Sequence, residues 1–237
     1  MKKSFVLLAS LFFLVSCDPQ DFQRVMDTVG SGVLSNQDIS KGLKEALQLG
    51  VGESVDFLSA KDGYYKTAYK ILLPEEANTV INGLKIIPGF KNLEQEVIKK
   101  LNQGAEDAAK RAGPIFVNAI KGMSFNDVMG ILMGEKNAAT SYLHNSTYNP
   151  LYGEFKPEIV SSLNKFGALD LWSNAVNKYN GLPFVKDVNP DLADHVTSKA
   201  LVGLFDLVEK KEKGIRSDIG QRSSDLLQRV FAKQDTN

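Results

Sequence analysis

An apolar residue recurs every four positions in the C-terminal third of the chain: Leu192, Val196, Ala200, Leu204 and Val208, widened by Leu201, Phe205 and Leu207. A strand cannot keep that spacing, because its side chains alternate with a period of two, whereas an α-helix gathers the row onto one side. A stripe this broad is a packed face rather than a coiled-coil seam, and it predicts a helix from Asp191 to Lys213. Ile39, Leu43, Leu47, Val51, Val55 and Leu58 follow the same three-and-four spacing. They predict a helix capped by Ser35 or Asn36 and running to about Ala60. Further helices are expected from Pro74 to Ile87, where proline followed by two acids suits a helix start, and from Leu93 to Ala112. The alanines of that segment (Ala105, Ala108, Ala109, Ala112) permit close helix contact, and Gly113-Pro114 should end or kink it. Shorter helical pieces are read at Ile115–Lys121, after Ser124 to near Gly134, at Asn137–Leu143, Pro157–Phe166, Leu169–Tyr179 and Ser223–Ala232. Asn180-Gly181-Leu182-Pro183 breaks the pattern and opens a link to Pro190 expected to be mobile. No strand-period alternation lasts long enough to found a sheet. The expectation is all-α: an irregular multi-helix bundle of about eight to ten helices in a single domain.

The start of the chain differs in kind. Met1-Lys2-Lys3 is basic, and Phe5 to Val15 is apolar apart from Ser10, with no acid before Asp18. This is the make-up of a secretory signal, and it is too short to cross a bilayer, which takes about 20 apolar residues. Leu14-Val15-Ser16-Cys17 resembles the bacterial lipobox, in which the cysteine is acylated and the signal is cut just before it. A cysteine at a mature N-terminus has no core to occupy, and two or three acyl chains anchor stably because each buried methylene contributes about 0.8 kcal/mol. The alternative is a plain signal cut elsewhere, after Ala9 or Ser16, leaving a free thiol. The expected division is signal peptide 1–16, lipidated tether 17–36, helical domain 37–233 and tail 234–237. Cys17 is the expected lipid attachment site, and the expected location is the bacterial envelope, on the periplasmic face rather than the cell surface.

Composition removes several function classes. Lys+Arg and Asp+Glu are 28 each, so no electrostatic grip on nucleic acid is expected. Loss of residues 1–16 takes Lys2 and Lys3 and no acid, which leaves 26 bases against 28 acids. That mildly acidic balance gives no basic patch to reinforce membrane contact, so acyl chains are expected to do the holding. One cysteine excludes an internal disulfide, and the two histidines, His144 and His195, share no metal-ligand spacing. Phosphate loops, dinucleotide fingerprints and calcium loops are absent from the sequence, so no cofactor is expected. Ser162-Leu163-Asn164-Lys165 matches S-x-x-K without its companion motifs. Met123, Met129 and Met133 with Phe116 and Phe125 are read as adaptable core filling ahead of an acyl-binding cavity.

Several short motifs resemble a bacterial family catalogued as domain of unknown function 4197. They are Gly42-Leu43-Lys44-Glu45-Ala46-Leu47, Lys61-Asp62-Gly63-Tyr64-Tyr65-Lys66, Leu101-Asn102 with Ala105-Glu106, and Ala119-Ile120 with Met123. Ala138-Ala139-Thr140-Ser141-Tyr142-Leu143, Gly203-Leu204-Phe205, Ile215-Arg216-Ser217-Asp218 and Val230-Phe231 complete the set. The resemblance covers about Asp38 to Phe231 and implies a helical envelope protein without an established activity. Gln103-Gly104 departs from it, since the family tends to show Arg-Ala there.

Candidate binding residues follow from these motifs. Asn102 and Glu106, four apart, share one helix face, and Glu106 is a candidate partner for Arg216. Such a pair is more often a structural ion pair than a ligand pocket. Thr140 and Tyr142 are candidates too, although residues two apart on a helix cannot face the same way. His195 reads as a satisfied edge histidine. Two functions are compatible with this reading. One is a lipid-anchored module that binds a partner protein or an apolar ligand. The alternative is an envelope enzyme acting on lipid or cell-wall material through Asn102, Glu106 and Arg216, which requires these residues to converge on a concave site.

Overall fold

A computed structural model describes residues 34–124, 126 and 128–235, so the expectations for the signal peptide and Cys17 lie outside the described residues. From Asn36 onward the chain forms one compact unit. Among the described residues there are eight α-helices and no strand, which is the all-α bundle expected. They are α1 (Asn36–Ser59), α2 (Ala77–Leu84), α3 (Leu93–Gly122), α4 (Val128–Leu132), α5 (Ala138–Lys165), α6 (Ala168–Asn180), α7 (Leu192–Ser217) and α8 (Asp225–Phe231). Single 3₁₀ turns at Ile219–Gln221 and Ala232–Gln234 flank α8.

The four long helices form the core, with α3 packed on α1 and α5, and α7 packed on the same two. The apolar rows face inward: Leu43, Leu47 and Val51 of α1 and Val196, Leu204 and Val208 of α7 are at most 1% exposed. Ala105, Ala108, Ala109 and Ala112 of α3 are completely buried, as their size predicts. A Cβ added to Gly104 would lie 2.6 Å from Leu163 Cδ2, so α5 closes tightly on α3 at that glycine. Gly50 serves the α1–α7 contact in the same manner, with the Val208 backbone 3.3 Å from where its Cβ would stand.

Two expectations are corrected by the structure. Gly113-Pro114 does not end a helix, and α3 runs through it for 30 residues. Likewise Asn137–Leu143 and Pro157–Phe166 are parts of one 28-residue helix, α5, which contains Pro150 and Pro157. All three prolines are on exposed positions, as are Lys110, Ser146 and Gly153, whose carbonyls each proline leaves without a donor. Water satisfies a carbonyl on the outer face, so the proline costs a bend rather than an unpaired buried group. The link after Asn180 is closed on itself: the Asn180 amide donates to the Val188 carbonyl and accepts from its N–H, both at 3.2 Å.

Candidate functional site

The carboxylate of Glu212 lies at the centre of a buried polar cluster. It belongs to the run Glu209-Lys210-Lys211-Glu212-Lys213, and its neighbours Lys210 and Lys213 are exposed while Glu212 is 1% exposed. Its Oε1 accepts from the Ala139 N–H at 3.0 Å, and its Oε2 from the Thr140 N–H at 2.7 Å and the Thr140 hydroxyl at 2.6 Å. These are orphan donors in the first turn of α5, whose N-cap residue Asn137 makes no side-chain cap. A carboxylate from another helix therefore does the capping, where the helix dipole also favours negative charge.

Arg216, one turn on, completes the arrangement. Its Nε donates to Glu212 Oε1 at 2.8 Å, and Nη2 lies 2.7 Å from the same oxygen. Nη1 donates to the Leu132 carbonyl at 2.6 Å and Nη2 to the Ile131 carbonyl at 3.1 Å. Those carbonyls close α4, so a cation meets the negative end of one helix and an anion the positive end of the next. The Phe231 ring stacks 5.5 Å from the guanidinium carbon. Behind it Arg222, 3% exposed, donates to the carbonyls of Ile215 at 2.9 Å and Arg216 at 3.2 Å. Asp235 pairs with Arg222 at 2.6 and 2.8 Å. The C-terminal motifs thus assemble into one knot that fixes α4, α5, α7 and α8.

Asn102 and Glu106 form a second cluster on α3. The Asn102 Oδ1 accepts from the Ile71 N–H at 2.8 Å, and its Nδ2 donates to the carbonyls of Ile71 at 2.8 Å and Ile98 at 2.7 Å. Glu106 Oε1 accepts from the N–H groups of Tyr64 at 3.2 Å and Tyr65 at 3.1 Å. Together they hold the 61–74 connection, which carries no regular helix, against the bundle. Tyr64 is completely buried and donates its hydroxyl to the Ala200 carbonyl at 3.0 Å. Burial, with the Glu106 charge nearby, pushes that phenol far above its ordinary range.

The structure therefore separates what the sequence grouped. Glu106 does not pair with Arg216: it caps two backbone amides of the 61–74 connection, while Arg216 is matched by Glu212. Thr140 joins the Arg216 knot, and Tyr142, half-buried, donates its hydroxyl to the Ser124 carbonyl at 2.5 Å. Asn102, Glu106 and Arg216 do not converge on one concave site. Phe116 and Met123 are buried in the core as filling, Met129 and Met133 are 38% and 41% exposed, and Phe125 lies outside the described residues. Ser162 is wholly buried and donates to Asp107 Oδ2 at 3.1 Å, while Lys165 reaches Asp107 Oδ1 at 2.9 Å. A serine with no exposure is not placed to attack a substrate. Burial acts to raise the Asp107 carboxyl, but hydrogen bonds from Lys165 and Ser162, with the charges of Lys165 and Arg111, hold it below the usual carboxylate range.

The family model described as "Protein of unknown function (DUF4197)" matches residues 33–232. The chain belongs to that family. No curated protein matches the chain, and no solved structure does. Among the described residues of this DUF4197 chain, no helix is long and apolar enough to cross a membrane, and no group of three or more His, Cys, Asp or Glu is placed to hold a metal ion. What the fold does offer is an open groove of about 420 Å³ beside the 61–74 connection, lined by Tyr69, Leu72, Leu73, His195, Lys199 and Val202. Leu72 and Val202 are 59% and 60% exposed there. His195 engages the Leu72 carbonyl through Nε2 at 2.8 Å, the edge role expected of it. Neither Leu72 nor Val202 was singled out in the sequence; the departure of Val202 from the buried row of α7 is the only signal that marks it.

Proposed function

We propose that this DUF4197 chain is a lipid-anchored bacterial envelope protein whose helical domain is a binding module rather than an enzyme. One observation carries the module reading. Every polar residue that the sequence nominates spends its hydrogen bonds on the fold's own backbone or on a buried ion pair, and the groove beside the 61–74 connection combines apolar side chains (Ile71, Leu72, Leu73, Val202) with charged ones at its edge. Lys70, Lys199 and Glu75 line the groove, exposed, beside Leu72 and Val202; two cations against one carboxylate favour a single-chain anionic amphiphile, with the apolar chain over Leu72 and Val202 and the head group toward the lysines. The anchor is supported by the lipobox-like Leu14-Val15-Ser16-Cys17, and the periplasmic side is proposed because Asp18, directly after the cysteine, resembles an inner-membrane retention signal. Palmitate labelling of wild type and Cys17→Ala tests the anchor, and equal label in both would remove it. For the module, native mass spectrometry of the mature chain should show an anionic amphiphile retained by wild type and lost from Val202→Glu. A clean unliganded mass for wild type in the presence of palmitate would overturn that part.

A further inference from the structure

The helices α2 and α6 pack on each other and meet at their C-terminal ends. Gly83 and Tyr179 are each the penultimate residue of their helix, and a Cβ on Gly83 would lie 2.5 Å from the Tyr179 ring. The loops that follow, Lys85-Ile86-Ile87-Pro88-Gly89-Phe90-Lys91 and Gly181-Leu182-Pro183-Phe184-Val185-Lys186, therefore leave the bundle at the same end. Each carries an apolar side chain in water at its outer part: Ile86 is 90% exposed and Phe184 106%. Isolated exposed apolar residues are ordinary, but these two are the most exposed large apolar residues described, and they sit on neighbouring loops.

Both loops are built rather than slack. Turn hydrogen bonds from Ile87 N–H to the Leu84 carbonyl at 2.9 Å and from Phe90 N–H to the Ile87 carbonyl at 3.1 Å shape the first. The Asn180 clasp on Val188 closes the second, with Phe184 inside the closed segment. Phe184 has φ +62°, a left-handed conformation that suits glycine or asparagine and not an aromatic residue. Neither packing nor backbone preference within the fold explains an aromatic side chain held there. Residues 85–92 and 177–186 contain Lys85, Lys91, Lys178 and Lys186 and no acid, Asp187 and Glu94 lying just beyond. All four lysines are exposed. In a chain whose charges balance overall, this is a local positive surface carrying two apolar tips.

We infer that the paired loops form a second membrane contact, in which Ile86 and Phe184 insert into the head-group region of an anionic bilayer and the four lysines meet its surface. Projecting tips ringed by lysine match an interface with apolar depth below and negative charge above, whereas a protein partner is more often met by a pocket or a flat face. The inference rests on the anchoring reading only in placing the domain near a bilayer. Its test therefore uses the mature chain, residues 17–237, with Cys17→Ser and no acyl group.

Vesicles of phosphatidylcholine with phosphatidylglycerol should pull this chain down more strongly than phosphatidylcholine alone, and added salt should weaken the binding. The pair Ile86→Ser and Phe184→Ser should lower partitioning by about tenfold or more, and each Lys→Gln by about fivefold. Both positions are exposed, so the thermal unfolding midpoint should stay that of the parent. A spin label on Ile86→Cys, the only thiol once Cys17 is replaced, should report a position within the bilayer. Equal partitioning of parent and loop variants, or a label that stays in water, overturns the inference. So does a dimer in solution that Phe184→Ser dissolves, since the loops would then be a contact between copies. Equal palmitate label in wild type and Cys17→Ala would remove the anchor and leave this result standing, and the reverse also holds.

Discussion

Removing the Glu212 carboxylate should be among the most damaging single changes available to this fold. In Glu212→Ala the Arg216 guanidinium remains buried, its side chain 2% exposed, with two carbonyls but no counter-charge. Breaking a buried pair from one side costs about 3–5 kcal/mol, and the first turn of α5 loses the acceptor for two amides and a hydroxyl as well. Against the roughly 5–15 kcal/mol that holds a domain folded, about 4 kcal/mol is a large share. With a urea m-value of about 2–3 kcal/mol/M, the midpoint followed by helical circular dichroism should fall by about 1.3–2 M. The combined variant Glu212→Leu with Arg216→Met should recover at least half of the loss, because well-packed apolar replacements of buried pairs are commonly neutral. The reasoning fails if Glu212→Ala costs less than about 1 kcal/mol, or if the two changes simply add.

Three further outcomes follow from the geometry. Asn102→Ala should cost about 2–3 kcal/mol and speed hydrogen exchange at Ile71, leaving amides of α1 protected; unchanged exchange at Ile71 would contradict the clasp. Because Asp107 titrates below its ordinary range when folded, its stabilisation is complete above the unfolded value near 4 and is lost as pH falls through the lower folded value. Asp107→Asn should therefore flatten the acid limb of the stability curve, and an unaltered limb would count against that role. Gly104→Ala gains about 1 kcal/mol of helix propensity but meets Leu163 Cδ2 at 2.6 Å. A net loss is expected, eased by adding Leu163→Val, and a more stable single variant would show the α3–α5 contact to be looser than described.

The fold class was legible because a helix writes its packed face into the sequence at a period near 3.6, and long rows survive local noise. The helix boundaries at Pro114, Pro150 and Pro157 were not, because whether a proline breaks a helix depends on whether water reaches the carbonyl it strands. That is a tertiary fact. Asn102 and Glu106 were legible as a pair on one face of α3, yet their partners are backbone groups of Ile71, Tyr64 and Tyr65, and nothing in sequence spacing names a backbone partner thirty or more residues away.

Glu212 was hidden by its neighbours, since Glu-Lys-Lys-Glu-Lys reads as a solvated charge run. The signal that could have found it lies in the row of α7. Continued in steps of four, Leu192, Val196, Ala200, Leu204 and Val208 lead to Glu212 and then Arg216, and all seven are at most 5% exposed. Four residues overrun a helical turn by about 40°, so a row kept at that spacing winds around the helix. α7 can bury such a row because it meets α1, α5, α3 and α8 along its length. Two opposite charges occupy the last two positions of that buried row, where an isolated charge could not stay. Their spacing of one turn lets them neutralise each other, and the ends of α4 and α5 supply the dipoles that complete the match. The apolar row therefore predicts the ion pair as well as the core, once its period is followed past the point where hydrophobicity stops.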